Sequence, residues 1–351
     1  MKSRLIATTW TSSIVVLALC QCAAAQAPPG GSSGAAVKRG PDWVRVTEAA
    51  PWRARDSQGE FVHDGHLWIL GGWVSAKAPN LLDVWKSSDG RDWVRTLEAG
   101  PWVQTDLPVS LEFQGKMWLM GGRKVPGTEC SNKVWSSADG VDWTLVTPDA
   151  GWSPRVAPAF AVFKDRMWVL GGTEDAYRND DETMFNDVWS SADGKDWKRE
   201  ATNAGWSKRA NGQAIAFDGK LWIMGGGARN PRAVPTNDVW CSEDGANWRQ
   251  VTPAAPWKPR LWSSTVVYRD RMWVLGGWSE ADGNFGDVWY SKDGRTWTEL
   301  KSDVIWTRRH EHSAFVFRDK IWVAGGAAEP SYKLNSEVWS LEVPRDALGD
   351  Q

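Results

Sequence analysis

Cysteine is scarce: four occur in 351 residues, and with Cys20 and Cys22 inside the first 25, only Cys130 and Cys241 stand in the body of the chain. A fold stapled by several disulfides is thereby excluded, and stability has to come from packing. Histidine and tyrosine are equally thin, at four each. Neither charge sign is in excess, with 41 basic against 43 acidic residues and a net charge of −2. Such a balance gives no basic field, so nucleic acid is not expected as a partner. No apolar run reaches the roughly 20 residues that a membrane-spanning helix needs.

Residues 1–25 have the build of a secretory signal peptide. Lys2 and Arg4 give the positive end, Ile14 to Leu19 an apolar run, and Ala23-Ala24-Ala25 a small-residue cleavage site. Export to the periplasm or the exterior is expected, with a mature chain starting at Gln26. Lipidation of Cys20 or Cys22 fits less well, because Leu19 and Gln21 are large for the residue before a lipidated cysteine. Residues 26–40, rich in Ala, Pro, Gly and Ser, read as a flexible leader.

What the chain has in abundance is a phrase written six times: apolar, Trp, two apolar residues and a Gly pair. It ends at Gly71-Gly72, Gly121-Gly122, Gly171-Gly172, Gly225-Gly226, Gly276-Gly277 and Gly325-Gly326, at intervals of 50, 50, 54, 51 and 49 residues. A period of this length marks a propeller or solenoid. Around each copy the same strands recur. An apolar strand such as Ala159 to Phe163 turns into the Trp strand that ends in Gly-Gly. A variable loop follows, then a Val-Trp strand, from Val84-Trp85 to Val338-Trp339. In five repeats an Asp-Gly hairpin turn comes next, from Asp89-Gly90 to Asp293-Gly294, and opens a fourth strand.

The tryptophans test this parsing. Four sites in six repeats account for 24 of the 28, leaving Trp10, Trp73, Trp262 and Trp278. A residue needed in every repeat serves what every repeat must do, so the 24 are read as core. Trp73, Trp262 and Trp278 become candidates for ligand contact. The sixth repeat lacks a fourth strand, but Pro41 to Val46 matches Arg91 to Thr96. Pairing the chain's first strand with its last blade closes the ring and leaves no open edge at the seam.

These features resemble kelch repeats, as in the central domain of galactose oxidase, of an exported bacterial type. The resemblance implies an all-β fold over residues 41–343: a six-bladed β-propeller of four-stranded antiparallel blades, followed by a tail, 344–351. In such a ring the second and fourth repeats stand apart, so Cys130 and Cys241 are expected to be free thiols, and a monomer is expected. The galactose oxidase activity needs a copper site of tyrosines, histidines and a Cys-linked Tyr, which Tyr177, Tyr268, Tyr290 and Tyr332 do not match. The Ser-x-Asp-Gly-x-x-Trp phrase is similar to the Asp-box of sialidase propellers but is one residue shorter, and is read as a turn.

Sixteen residues before each Gly pair stand Arg55, Thr105, Arg155, Arg209, Arg260 and Arg309. In kelch-like propellers this connection and the loop after Gly-Gly share the face around the channel mouth, so Arg55, Arg155, Arg209, Arg260 and Arg309 are candidate ligand-binding residues. Five guanidinium groups gathered there would attract carboxylates, sulfates or phosphates. Repetition, however, favours the other reading, in which each Arg holds its own blade through Asp83, Asp187, Asp238, Asp287 or Glu337.

Residues that break the repetition say more about a ligand. His310-Glu311-His312 follows Arg309, where other blades have Val156-Ala157-Pro158 or Leu261-Trp262-Ser263. On a strand His310 and His312 would share one side, and the three residues are candidate acid-base groups. Two histidines without a visible third ligand define no metal site, and no cofactor is implied. The loops after Gly-Gly add Trp73, Arg123, Tyr177, Arg178, Arg229, Trp278 and Tyr332. The expected function is non-catalytic recognition of a carbohydrate or an acidic protein segment at the mouth. The alternative is a sugar-acting enzyme, resembling the sialic acid mutarotases found among exported kelch propellers.

Overall fold

Why six copies of one phrase must make a circle is visible in any single blade. Apolar residues alternate along Gly59–His63, the Trp strand His66–Leu70 is buried almost throughout, and Val84–Ser87 and Trp93–Leu97 complete an antiparallel meander. A sheet apolar on both faces has to be covered on both, and the neighbouring blades do so. In the computed structural model, which describes residues 36–348, equivalent sheets span 109–147, 159–201, 213–252 and 264–301. The predicted signal peptide, most of the leader and the last three residues lie outside the described residues.

The sixth sheet is built from Ser313–Phe317, Lys320–Ala324 and Val338–Leu341, and its outer strand is Val44–Thr47. Val44 faces Ser340 and Arg45 faces Trp339 in antiparallel register. The fold is the six-bladed β-propeller expected, closed by the chain's first segment. Innermost strands touch their neighbours all round the axis, Ser313–Phe317 meeting Gly59–His63 across the join.

Tryptophan does the packing in layers. The six before each first strand are 1–3% exposed, and each meets edge-on a fourth-strand Trp: Trp52 with Trp93, Trp152 with Trp197, Trp257 with Trp297. In the sixth blade Trp306 meets Trp43, delivered from the far end of the chain. Second-strand tryptophans are buried, and each donates its indole N–H to the carbonyl five residues earlier, as Trp168 does to Phe163 at 2.8 Å. Third-strand tryptophans are only half-buried in the first four blades. There the uniform core reading needs correction: Trp85, Trp189 and Trp240 each donate the indole N–H to an ion-paired aspartate, and only Trp135 has no such pair beside it.

The Asp-Gly turn of each blade covers the second-strand Trp of the blade before. A Cβ on Gly245 would stand 2.0 Å from Trp168 Cζ3, and its φ of 77° also favours glycine. The sixth blade has no such turn to cover Trp273. Val343 and, from the tail, Leu348 fill that place, and Arg271 donates to the Leu348 carbonyl at 3.0 Å. At the other end, Ala36–Arg39, which composition places in the flexible leader, add a fifth strand to the fifth blade, parallel to Thr298–Lys301. An unpaired outer edge accepts a strand whatever its composition.

Candidate functional site

Two columns of the repeat make the channel mouth. The residue after each register position pairs with the residue after Gly-Gly: Asp56 with Trp73, Asp106 with Arg123, Val156 with Thr173, Ala210 with Gly227, Leu261 with Trp278 and His310 with Ala327. This puts the two loops on one face, as the repeat register implies. One residue further on, Ser57, Leu107, Ala157, Asn211, Trp262 and Glu311 all take positive φ, between 49° and 59°. Their backbones form a closed hydrogen-bonded circle. Leu107 N–H donates to Ser57, Ala157 to Leu107, Asn211 to Ala157, Trp262 to Asn211, Glu311 to Trp262 and Ser57 to Glu311, at 3.0–3.3 Å. A left-handed backbone is unusual for tryptophan. Here the circle imposes it.

The circle divides the channel. Above it lies a cavity of about 370 Å³, below it one of about 90 Å³, and the six circle residues line both. Trp73, Trp262 and Trp278, the tryptophans left over from the repeat, all line the upper cavity. Trp262 stacks on His310 with ring centroids 5.2 Å apart and lies 5.4 Å from Trp278, whose indole donates to the Tyr332 hydroxyl at 3.1 Å. The exposed Arg229 stands over the other part of this wall, 4.9 Å from the Trp262 ring, and has no acidic partner among the described residues. Across the cavity Arg123 lies over Tyr177 and is bonded to Asp106.

The floor is acidic. Asp56 is 3% exposed; the Ser57 hydroxyl lies 3.3 Å from it but has its shorter contact, 2.8 Å, with Glu311, and Asp56 and Glu311 hydrogen-bond each other through a shared carboxyl proton. Burial, then the charges of Glu311 and Asp106, push Asp56 well above the usual carboxylate range. Burial and then Asp106 push Glu311 up to about 7. His310 is driven down to about 3 by burial and by Arg229, so its ring is neutral. Its Nδ1 lies 2.5 Å from Asn284 Oδ1. The Asn284 amide nitrogen donates to the Ala327 carbonyl at 2.9 Å, which fixes the oxygen toward His310 and puts the imidazole proton on Nδ1.

Two sequence expectations need correction, and for the arginines the blade-holding alternative is the one that holds. Arg55, Arg155, Arg209, Arg260 and Arg309 do not ring the mouth: they are 0–1% exposed inside their blades. Arg155 donates to the Gly171 carbonyl at 2.8 Å and in a fork to Asp187 at 2.7 and 3.1 Å, and the same pattern joins Arg55 to Asp83, Arg209 to Asp238 and Arg260 to Asp287. Arg309 bonds Glu337 at 2.5 Å. The acid also accepts the third-strand indole, as Asp187 does from Trp189 at 2.7 Å. Each guanidinium turns back into the sheet because that is where its acid and carbonyl are, leaving the mouth to the residues that follow.

His310 and His312 do not share a face either. The left-handed Glu311 between them breaks the strand alternation, so His312 turns under the circle against Trp306, 4% exposed, with neither ring nitrogen hydrogen-bonded. His312 therefore leaves the candidate catalytic set. The residues that sequence reasoning passed over are Asp56, Asp106 and Asn284. Asp56 and Asp106 were detectable, since their column differs in kind from blade to blade.

Glu60 projects into the lower cavity, where burial pushes its carboxyl up to about 7. With an ordinary value of 4.5 when unfolded, the folded state binds the extra proton between those values. The associated stability is complete below pH 4.5 and is lost as pH rises through 7. Glu60→Gln should leave stability unchanged at pH 4 and raise it by about 2 kcal/mol at pH 8, read by urea unfolding at the two pH values. An equal gain at both would remove burial as the cause.

Fold and mouth together define a closed propeller whose shared framework carries one non-repeating cavity on its axis. The KLHDC2/KLHL20/DRC7 kelch-repeats domain matches residues 109–326, and the chain belongs to the kelch-repeat family, an architecture of interaction modules. No curated protein matches the chain.

Proposed function

We propose that this kelch propeller is a recognition module that binds a carbohydrate bearing an anionic group in the mouth cavity. The observation that carries the reading is the gathering of Trp73, Trp262, Trp278 and Tyr332, from the first, fifth and sixth blades, over a floor of carboxylates. Aromatic faces suit the C–H faces of sugar rings, carboxylates and amides such as Asn211 suit hydroxyls, and Arg229 is placed for an acidic substituent. A cavity of about 370 Å³ is of small-ligand size. An acidic protein segment fits less well, because Asp56, Asp106 and Glu311 would repel its successive charges. Export through the predicted signal peptide belongs with this reading, and a mature N-terminus at Gln26 would support it.

Purified protein should bind acidic glycans on a glycan array, and Trp278→Ala should weaken the best of them by about tenfold or more, one stacking ring being worth about 1–3 kcal/mol. Binding of acidic peptides but of no glycan would overturn the reading. The sugar-acting alternative draws on one observation, the Glu311 carboxyl raised to about 7 beside Asp56. Under it, Glu311→Gln should abolish turnover of a bound sugar while leaving its affinity largely intact.

A further inference from the structure

The floor of the mouth cavity holds a combination that carbohydrate recognition alone does not require. One ligating atom from each of Asp56, His310 and Glu311 lies within 4.8 Å of the other two. These residues come from two connections about 254 positions apart in sequence, held together by the hydrogen-bonded circle. We propose that Asp56, His310 and Glu311 form a binding site for a divalent first-row cation, its remaining coordination positions open to the cavity.

Two observations beyond the clustering carry this. The first is the state of Asp56. A carboxyl group almost wholly removed from solvent normally has several N–H donors or a cation, yet that of Asp56 has no N–H donor among the described residues, only the Ser57 hydroxyl at 3.3 Å and the proton it shares with Glu311. A cation between the two carboxyl groups would displace the proton they share and balance both charges at once.

The second is the preparation of His310. Its Nδ1 proton is engaged by Asn284 Oδ1, itself fixed by the Ala327 carbonyl, so the lone pair belongs to Nε2, for which the described residues offer no hydrogen-bond partner. A neutral imidazole whose far nitrogen is held by an amide oxygen is the arrangement that orients a metal-ligating histidine. The ring is also clamped by the Trp262 face. A set of two carboxylate oxygens and one imidazole nitrogen suits Zn²⁺ or Mn²⁺ better than Ca²⁺, which prefers oxygen throughout.

The surrounding charges permit it. Asp106 is satisfied by Arg123, and Arg229 stands at the exposed rim over Trp262, so the groups on the floor free to exchange a proton for a cation are Asp56 and Glu311. Arg229 opposes a cation from above, and its removal should favour one.

The test uses tag-free, chelator-treated protein with Zn²⁺ in calorimetry and Mn²⁺ in electron paramagnetic resonance, and no glycan, so it stands apart from the carbohydrate reading. One equivalent should bind with a Kd of about 10 μM or tighter. Glu311→Gln and His310→Gln should each weaken it at least about tenfold, Asn284→Ala by about tenfold through loss of ring orientation, and Arg229→Gln should strengthen it about threefold. Tryptophan fluorescence and Tm check that each variant is folded. If Glu311→Gln fails to fold, His310→Gln and Asn284→Ala decide. Absence of stoichiometric binding of both metals to the parent protein at about 1 mM, or affinity unchanged in every folded variant, overturns the proposal.

Discussion

Arg155→Thr is expected to cost about 3–5 kcal/mol, and adding Asp187→Lys should return about half of that or more. The single change strips a fully buried guanidinium from the Gly171 carbonyl and from both oxygens of Asp187, leaving the carboxylate with the Trp189 indole alone. An uncompensated charge inside a blade is worse than no charge. The second blade shows the alternative in this same chain: Thr105 replaces the arginine and bonds the Leu81 carbonyl at 2.8 Å, while the acid's place is taken by Lys133, which is exposed. Both members of the pair have left the interior together. The double variant copies that solution into the third blade. What it should fail to recover is packing, since Arg155 also lies 4.2 Å over the Phe185 ring and 5.6 Å over Trp152. Urea unfolding monitored by tryptophan fluorescence measures both. A single variant losing under about 1 kcal/mol, or a double no better than the single, would sink the ion-pair account.

The same five arginines show how far the sequence could be read and where it misled. Blade number, strand order and closure by Val44–Thr47 were legible because Trp, Gly-Gly and Asp-Gly meet identical steric demands in every copy. The arginine series was equally regular, and regularity was the clue to its role. Arg55 and Asp83, Arg209 and Asp238, and Arg260 and Asp287 are separated by 28, 29 and 27 residues, a spacing as constant as the repeat itself. A column repeated in five blades serves the blade. The columns that line the mouth come one and two residues later, where Asp56, Asp106 and His310 stand opposite Val156, Ala210 and Leu261.

The His310 and His312 expectation failed for a different reason. Strand alternation holds only while φ stays negative, and the left-handed circle that reverses it at Glu311 is a property of all six blades together. No local pattern announces it. Asn284, which fixes His310, stands where Cys130, Met184, Pro235 and Leu334 stand in other blades, each paired with the residue after Gly-Gly, but loops of different length hide that alignment in the sequence.

Closure should matter to the site as well as to the fold. Trp43→Ala is expected to cost about 3–5 kcal/mol, as for a large buried ring elsewhere, and also to weaken ligand binding at the mouth. Trp43 is 2% exposed and meets Trp306 edge-on at 5.9 Å, and its backbone N–H donates to the Val304 carbonyl at 2.9 Å. The strand after it, like Ala36–Arg39 on the fifth blade, is delivered from the opposite end of the chain, so no hairpin turn returns it to Val338–Leu341 once it frays. Trp197, the same position in the third blade, follows its partner strand through a hairpin turn and is held on both sides. Fraying at the seam frees the segment that leads directly to Asp56 and Ser57. Those residues meet Glu311 through the Ser57 hydroxyl at 2.8 Å and a backbone bond at 3.3 Å, the weakest link of the circle by length. Hydrogen exchange should therefore quicken at the Ser57 amide in Trp43→Ala but not in Trp197→Ala, with ligand affinity falling in the first variant alone. Equal exchange and equal affinity loss in both would mean that the mouth is held by the blades individually, and that closing the ring contributes nothing to it.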